Sequence, residues 1–301
     1  MKLVTHNGRF HYDELLASAI LTKIYPESTI IRTRDSKVIS TGDIVYDVGG
    51  VYDPSRNLYD HHQPTFTETY SSDYNIKLSS AGLVYKHFHE SFLSLYNIHP
   101  TGTLYKKLTK KIYKEFFLGA DAQDNGYNIY GEIKPRTIYA MISLYNSEDN
   151  LISDQQNENF RKALTIVSKD LDLYINHVIT SWYNKYKELE ILINQTDDYI
   201  LVSDVYYSYD LILEIEKENN KNILFLVYPS DDLYKIRAIN TDTTNFSLKC
   251  PLKKEWRGRR GDELNSMIKG AGFVHSSGFI GTNKTKEGAI KMCRESYNSR
   301  E

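Results

Sequence analysis

Between residues 2 and 59 short apolar runs recur at strand length, separated by one helical pattern and by turn residues, and that alternation leaves few folds open. Residues 2–5, 30–33, 43–48 and 56–59 read as strands. Residues 14–24, with Leu16, Ile20 and Ile24 on one face, read as a helix after the first of them. Asp53-Pro54-Ser55 is a turn signal before the last strand. The economical arrangement is an α/β domain with a parallel sheet, covered by helices at residues 81–96 and 103–118.

A second long feature follows. Phe160, Leu164, Val167, Leu171, Ile175, Val178, Trp182, Tyr186 and Leu189 fall three or four apart, with no Pro or Gly between residues 157 and 192. This is the pattern of one amphipathic helix. At about 1.5 Å per residue it would run roughly 50 Å, more than one small domain needs, so it is expected to join two domains. The length of 301 residues, about twice that of a usual domain, agrees. Beyond it, residues 199–204, 222–228 and 233–239 read as strands and 263–269 and 287–296 as helices, a smaller α+β unit. The expected limits are 1–153 for the first domain, 154–194 for the joining helix and 195–301 for the second domain.

Composition then removes several classes. Hydrophobic residues at 41% and charged residues at 25% suit a soluble globular protein. The two cysteines, Cys250 and Cys293, have no CxxC partner, which excludes a disulfide framework or a zinc finger. No run reaches the roughly 18 apolar residues of a membrane span, so a soluble, intracellular protein is expected. A net charge of -2 gives no global attraction to polyanions; nucleic-acid binding would need a local patch or bound metal.

The histidines and aspartates are placed where chemistry would need them. His6 lies just past the first strand, His11 and Asp13 in the loop after it, Asp47 at the end of another strand, and Asp60-His61-His62 at the end of the next. In open α/β sheets, ligands bind outside the carboxyl ends of the strands, so these side chains would share one crevice. Imidazoles suit transition metals, and carboxylates can bridge two of them. Asp124, after an apolar helix and near Asp121, is placed to close the site. Taken alone, each of these residues reads more simply as a cap or a surface residue; the set carries the argument. Further on, residues 249–260 hold Lys249, Lys253, Lys254, Arg257, Arg259 and Arg260 against Glu255, with Trp256 among them. Basic side chains position phosphates and an indole stacks on bases; the plainer reading is a solvated loop with a half-buried Trp.

These residues carry a family likeness. His6-Asn7-Gly8-Arg9-Phe10-His11-Tyr12-Asp13-Glu14, Tyr46-Asp47-Val48-Gly49-Gly50, Tyr59-Asp60-His61-His62-Gln63, the run from Lys77 to Tyr85, and Asp124-Asn125-Gly126 resemble the DHH phosphoesterase superfamily, and within it the MYG1 (UPF0160) branch. Glu255-Trp256-Arg257-Gly258 and the run from Phe273 to Gly281 continue the likeness, so that it covers nearly the whole chain. It implies a DHH domain joined by a long helix to a smaller, DHHA1-like substrate domain. It also implies two manganese ions between them, with Mg²⁺ or Co²⁺ as alternatives. His6, His11 and Asp47 would hold one ion; Asp13, Asp47, His61 and Asp124 would hold the other, with Asp47 as the bridge and Asp121 as the competing last ligand. Asp60 would orient His61, and His62 would face the substrate phosphate or leaving group.

The chain departs from the wider superfamily in His11-Tyr12-Asp13, where most members carry Asp-x-Asp. The first position is thereby richer in nitrogen, which favours Mn²⁺ or a later transition metal over Mg²⁺. Thr282 stands where the branch would have Gly. Two divalent ions would be balanced by Asp13, Asp47, Asp124 and a bridging hydroxide, the arrangement of a two-metal hydrolase. His275 and the turn Gly270-Ala271-Gly272 would belong to a terminal-nucleotide pocket, with Arg257, Arg259, Arg260 and Trp256 as further substrate contacts. The activity so implied is a 3′ to 5′ exoribonuclease in RNA processing, with hydrolysis of small nucleotides and turnover-free nucleic-acid binding as the alternatives. The expected location is cytoplasmic or nuclear over mitochondrial, because eukaryotic relatives often carry a presequence that this chain does not show.

Overall fold

Leu3, Val4 and Thr5 are wholly buried in β1 (Lys2–Thr5), the strand around which the N-terminal sheet is built. With β2 (Thr29–Arg32), β3 (Ile44–Tyr46), β4 (Tyr52–Asp53) and β5 (Leu58–Tyr59) it forms a five-stranded sheet in the order β2-β1-β3-β5-β4. Strands β2, β1, β3 and β5 run parallel, as expected. Only β4 is antiparallel, and its two residues are too short to show any periodicity in the sequence. The computed structural model describes residues 1–128, 130–133, 135–146 and 154–300.

Helix α1 (Tyr12–Ile24) is apolar almost all round, and every residue from Tyr12 to Leu21 is buried. It starts two residues before the sequence pattern suggests because Glu14 closes a capping box on His11. After the short α2 (Ser36–Ile39) come α3 (Ser80–Ser94) and α4 (Gly102–Ile112). A π-helical turn, Tyr113–Phe117, joins α4 to α5 (Leu118–Asp124), so the helical backbone expected to stop at residue 118 carries Asp124 as well. After α6 (Ile138–Ser143), α7 (Asp154–Val178) lays Phe160, Ala163, Val167, Leu171, Ile175 and Val178 inward. Phe10 meets Phe160 edge-on with centroids 5.5 Å apart, and Lys23 of α1 pairs with Asp172 at 2.6 Å.

The helical backbone expected over residues 157–192 continues past α7 as a second π turn, Ile179–Tyr183, and as α8 (Asn184–Asn194). None of the π-turn residues is buried, and the two compact units of the chain, Met1–Ile179 and Thr180–Glu301, divide within it. The second unit has its own sheet: β6 (Ile200–Val202), β7 (Phe225–Ser230), β8 (Leu233–Ala238), β9 (Ala271–Val274) and β10 (Ile280–Asn283), in the order β6-β7-β8-β10-β9. β6 is parallel to β7 and the other pairs are antiparallel. Around it lie α9 (Tyr209–Glu218), α10 (Gly261–Met267) and α11 (Lys286–Asn298). Cys250 and Cys293 are buried free thiols in that core. Among the described residues no helix is long and apolar enough to cross a membrane.

Candidate metal centre

β2 lies on one side of β1 and β3 on the other, so the connections leaving the carboxyl ends of β1 and β3 diverge and open a crevice between them. His6 follows β1, Asp47 follows β3 and Asp60 follows β5. Asp47 takes a left-handed backbone (φ 58°), a conformation that Asp tolerates better than most residues, and Gly49 (φ 101°) and Gly50 (φ 68°) complete the sharp turn. Its two carboxylate oxygens address different histidines: Oδ2 lies 3.2 Å from His6 Nε2 and Oδ1 lies 3.1 Å from His61 Nε2.

The remaining side chains gather around this carboxylate. His6 Nδ1 donates to its neighbour Asn7 O (3.0 Å), which leaves Nε2 for Asp47 and for Glu14 Oε1 at 3.0 Å. His6, His11, Glu14 and Asp47 bring ligand atoms within 4.8 Å of one another; so do His11, Asp13 and Asp124, and so do Asp47, His61 and His62. His61 Nε2 is 3.4 Å from Asp124 Oδ2 and 3.9 Å from Asp13 Oδ2. His11, Asp13, His61, His62 and Asp124 line one cleft of ≈ 550 Å³. The structure thus brings together His6, His11, Asp13, Asp47, His61, His62 and Asp124, and adds Glu14. Glu14 escapes a reading of the sequence because an acid at the third helical position reads as a cap, and it is one: both its oxygens accept the His11 N–H at 2.9 Å.

The amino end of α3 supports the carboxylates. Ser80 Oγ donates to Asp13 Oδ2 (2.7 Å), while Asp121 accepts from Ser79 N (2.9 Å), Ser79 Oγ (2.7 Å) and Gly82 N (3.1 Å), favourable placements for negative charge at a helix amino end. Tyr113 OH completes the Asp121 set at 2.8 Å. Asp121 is fully buried, and a Cβ on Gly82 would sit 2.4 Å from its Oδ2. Both oxygens of Asp121 are therefore occupied, Oδ1 by the amino end of α3 and Oδ2 by Tyr113, and Asp124, one turn later, is the one that reaches the cleft. Asp60 differs from its expected partner: Oδ1 accepts from His62 Nδ1 (2.7 Å) and from the His61 backbone N–H (2.8 Å), not from the His61 ring, and Oδ2 accepts from Gly50 N (2.6 Å).

The loop between His6 and His11 is held from behind by side chains far away in sequence. Asn146 accepts from Phe10 N (2.9 Å) and donates to Phe10 O (2.8 Å). Gly8 O accepts from Arg32 (2.7 Å) and from Gln156 (3.3 Å), and Gln156 also donates to Asn146 Oδ1 (2.7 Å). The Arg32 guanidinium stacks over Phe160, 4.5 Å from the ring centroid.

Electrostatics follow from burying this much charge. Burial opposes a charged His6, but the carboxylates of Glu14 and Asp47 outweigh it and push its pKa up to about 11. His61 is likewise pushed up to about 9, against burial, by Asp47 and Asp13. Burial raises Glu14 to about 7 and Asp124 to about 8, the latter helped by Asp13, and it raises Asp13 too. Burial also acts on Asp47, but its bonds to His6 and His61 win and hold it well below the usual carboxylate range. One observation bears on whether a metal fits: Asp13 Oδ1 is buried and has no hydrogen-bond partner among the described residues. An orphaned carboxylate oxygen costs about 1–3 kcal/mol or more, and it faces the kind of mixed imidazole and carboxylate set that binds divalent transition ions. The residues fit such ions.

The model of the MYG1_exonuc family, described as an uncharacterised protein family (UPF0160), matches residues 2–297. The chain belongs to the MYG1 family. It is 34% identical to the MYG1 protein of Schizosaccharomyces pombe, over 99% of this chain and 98% of that protein. It is 33% identical to the MYG1 protein of Dictyostelium discoideum (99% and 97%) and 34% identical to the MYG1 exonuclease of Rattus norvegicus (99% and 85%). Among solved structures, RecJ of Thermus thermophilus in complex with Mn²⁺ aligns with all of this chain and 52% of its own, at 12% identity and a TM-score of 0.24. An exonuclease RecJ bound to manganese aligns at 10% identity and a TM-score of 0.28, covering 100% of this chain and 90% of its own. A shared fold does not follow from scores of this size.

In the second unit of this MYG1-family chain the expected substrate contacts fare unevenly. Trp256 is 2% exposed and belongs to the core, so its indole offers no face to a base. Gly272 lies inside β9 and not in a turn; a Cβ there would meet Thr282 Oγ1 at 2.7 Å, and the same hydroxyl accepts from Phe273 N (3.2 Å). The Thr282 hydroxyl therefore has a use, closing an irregularity in the β9–β10 ladder. Arg257 spends Nε on Leu252 O (2.7 Å), and Arg259 pairs with Glu263. Arg260 is exposed, as is His275, whose Nδ1 meets Ser277 Oγ at 3.0 Å and whose ring packs on Phe279. Arg259 and Arg260 are tied to β9 through Val274 N and the Phe273 bridge, which brings the basic segment beside the strand leading to His275.

Proposed function

We propose that this MYG1-family chain is a metal-dependent phosphodiesterase of the DHH kind that removes nucleotides from the 3′ end of RNA. The observation that carries the reading is Asp47, a buried carboxylate at a strand end whose two oxygens serve His6 and His61 separately, with Asp13, Glu14 and Asp124 close by. That is the disposition of a carboxylate shared between two cations. The mammalian relatives named MYG1 exonuclease support a nucleic-acid substrate.

His6, His11 and Asp47 would hold one ion, and Asp13, Asp47, His61 and Asp124 the other; manganese suits the donors. When bound, such ions supply a water nucleophile at neutral pH and neutralise charge on the phosphate. The chain's own residues do the rest. His62 is exposed (63%), and its bond to Asp60 raises its pKa. It therefore keeps a proton on Nδ1 and presents Nε2 to a phosphate oxygen or leaving group. Asp60 fixes that orientation, and also the His61 backbone and the Gly50 turn, through one carboxylate. Arg260 and His275, exposed in the second unit, would contact phosphate groups.

A cleft of ≈ 550 Å³ is in the range of small-molecule sites and has room for a terminal nucleotide. That supports removal from an end, and equally a small-nucleotide substrate. The test is cleavage of 5′-labelled single-stranded RNA beside matched DNA and a dinucleotide, with Mn²⁺. A ladder shortening from the 3′ end of RNA is expected; cleavage of the dinucleotide alone would move the assignment to a small-nucleotide phosphoesterase.

A further inference from the structure

We propose that Glu14 is a fourth protein donor at the deeper of the two ion positions, with His6, His11 and Asp47, and that this position fills first and holds its ion more tightly. The proposal rests on the metal-site reading above and deepens it.

Geometry is the first argument. Two donors each about 2.1 Å from one ion, at angles between octahedral and tetrahedral, lie roughly 3.0–3.4 Å apart. His6 Nε2 stands 3.0 Å from Glu14 Oε1 and 3.2 Å from Asp47 Oδ2, and the His11 ligand atom completes a group within 4.8 Å. Capping alone does not account for the Glu14 carboxylate: the His11 N–H needs one acceptor, yet Glu14 also approaches the ring nitrogen that His6 turns toward Asp47. Burial is the second. His6, Glu14 and Asp47 are at most 3% exposed, with His11 exposed at the edge of the group; in the other set Asp13 is 3% exposed, but Asp124 and His61 are 21% and 8% exposed at the cleft.

Donor chemistry separates the positions further. With His11, which also lies within 4.8 Å of Asp13 and Asp124, assigned beside His6, the deep set has two imidazoles and two carboxylates; the other has one imidazole, His61, with Asp13, Asp47 and Asp124. Counting Glu14, the carboxylates are Asp13, Glu14, Asp47 and Asp124, which match the four positive charges of two divalent ions. The deep position also sits on the loop held by Asn146, Arg32 and Gln156, which restricts the movement of His6 and His11. A preorganised and nitrogen-rich site should bind a transition ion before an oxygen-rich one.

The test titrates Mn²⁺ into the metal-stripped full chain and reads free ion by electron paramagnetic resonance, for wild type, Glu14→Gln, Asp124→Asn and Asp47→Asn. Gln also fills the third helical position of a capping box, so a purely structural Glu14 predicts no change in Glu14→Gln. Two steps are expected in wild type. Glu14→Gln should weaken the tighter step by at least about tenfold, and Asp124→Asn should abolish the looser one. If Glu14→Gln binds two ions with wild-type affinities, Glu14 is only a cap and the proposal is overturned while the metal reading stands. If wild type binds no Mn²⁺, or Asp47→Asn binds as wild type does, the metal reading falls and takes the proposal with it. Spin-echo modulation of wild type holding one equivalent of Mn²⁺ needs no variant: coupling to two imidazole nitrogens is expected, and coupling to one would mean that the outer position fills first.

Discussion

Replacing Asn146 by Ala removes the clamp on the loop that carries His6 and His11, and the size of the effect follows from the bonds it breaks. Phe10 is 1% exposed, and both its backbone N–H and its carbonyl are satisfied by the Asn146 amide, at 2.9 and 2.8 Å. Water reaches such a backbone poorly, and an orphaned buried group costs about 1–3 kcal/mol. Two of them, partly relieved by local rearrangement, give a loss of about 2–4 kcal/mol, a large share of an ordinary folding free energy of roughly 5–15 kcal/mol. The assay is urea unfolding of the metal-free protein by far-ultraviolet circular dichroism, with tryptophan fluorescence alongside. Both tryptophans, Trp182 and Trp256, lie in the second unit, so the part of the dichroism change that belongs to the first unit should move to lower urea while the fluorescence transition stays in place. Mn²⁺ affinity should fall with it, because the donors His6 and His11 flank the loosened segment. A loss below about 0.5 kcal/mol, the size of a neutral surface substitution, together with unchanged Mn²⁺ affinity, would refute the reasoning.

The remaining predictions concern the same cluster and the second core. In the metal-free protein His6, His61 and Asp124 are pushed up to about 11, 9 and 8, so all three hold protons at pH 7 and ions must displace them. Mn²⁺ affinity measured by calorimetry should therefore rise with pH, by more than tenfold per unit between pH 6 and 8; a flat profile contradicts the assignment of these donors. Asp121→Ala should cost roughly 3 kcal/mol or more, through the buried donors it strands, and leave the number of bound ions unchanged. Asp124→Ala should do the reverse, with little loss of stability and one ion fewer by elemental analysis; identical effects from the two would remove the distinction drawn between them. Trp256→Ala should destabilise the second unit by about 3–5 kcal/mol in thermal melts, and Trp256→Phe should leave RNA affinity intact, whereas a selective loss of RNA binding in Trp256→Phe would return the indole to the substrate.

Much of the candidate site is legible in the sequence because its members follow short apolar strands: His6, Asp47 and His61 sit where a parallel sheet must expose its ligands. Choosing between Asp121 and Asp124 needs the structure, since only the four bonds to Asp121 show which of two acids on one helix is already spent. Glu14 is hidden by a capping role that is real. Asn146, Arg32 and Gln156 carry no signal in the sequence, because their importance comes from meeting one loop from three distant elements. Trp256 misleads since a lone indole among basic residues looks available to a base, and tertiary packing decides otherwise. The hairpin of β9 and β10 reads as a glycine-rich turn because Gly270, Gly272, Gly278 and Gly281 mask its alternation. Helix α9, whose buried face is Leu211, Ile212 and Ile215, is absent from the sequence reading although it has helical spacing.

The most direct test of the metal-dependent phosphodiesterase reading is RNA cleavage by metal-stripped protein as Mn²⁺ is restored, with bound ions counted in the same samples, for wild type and Asp47→Asn. No cleavage is expected without the ion, activity should grow as the second equivalent binds, and Asp47→Asn should show none at any concentration. Undiminished cleavage in EDTA, or full activity of Asp47→Asn, would contradict that reading.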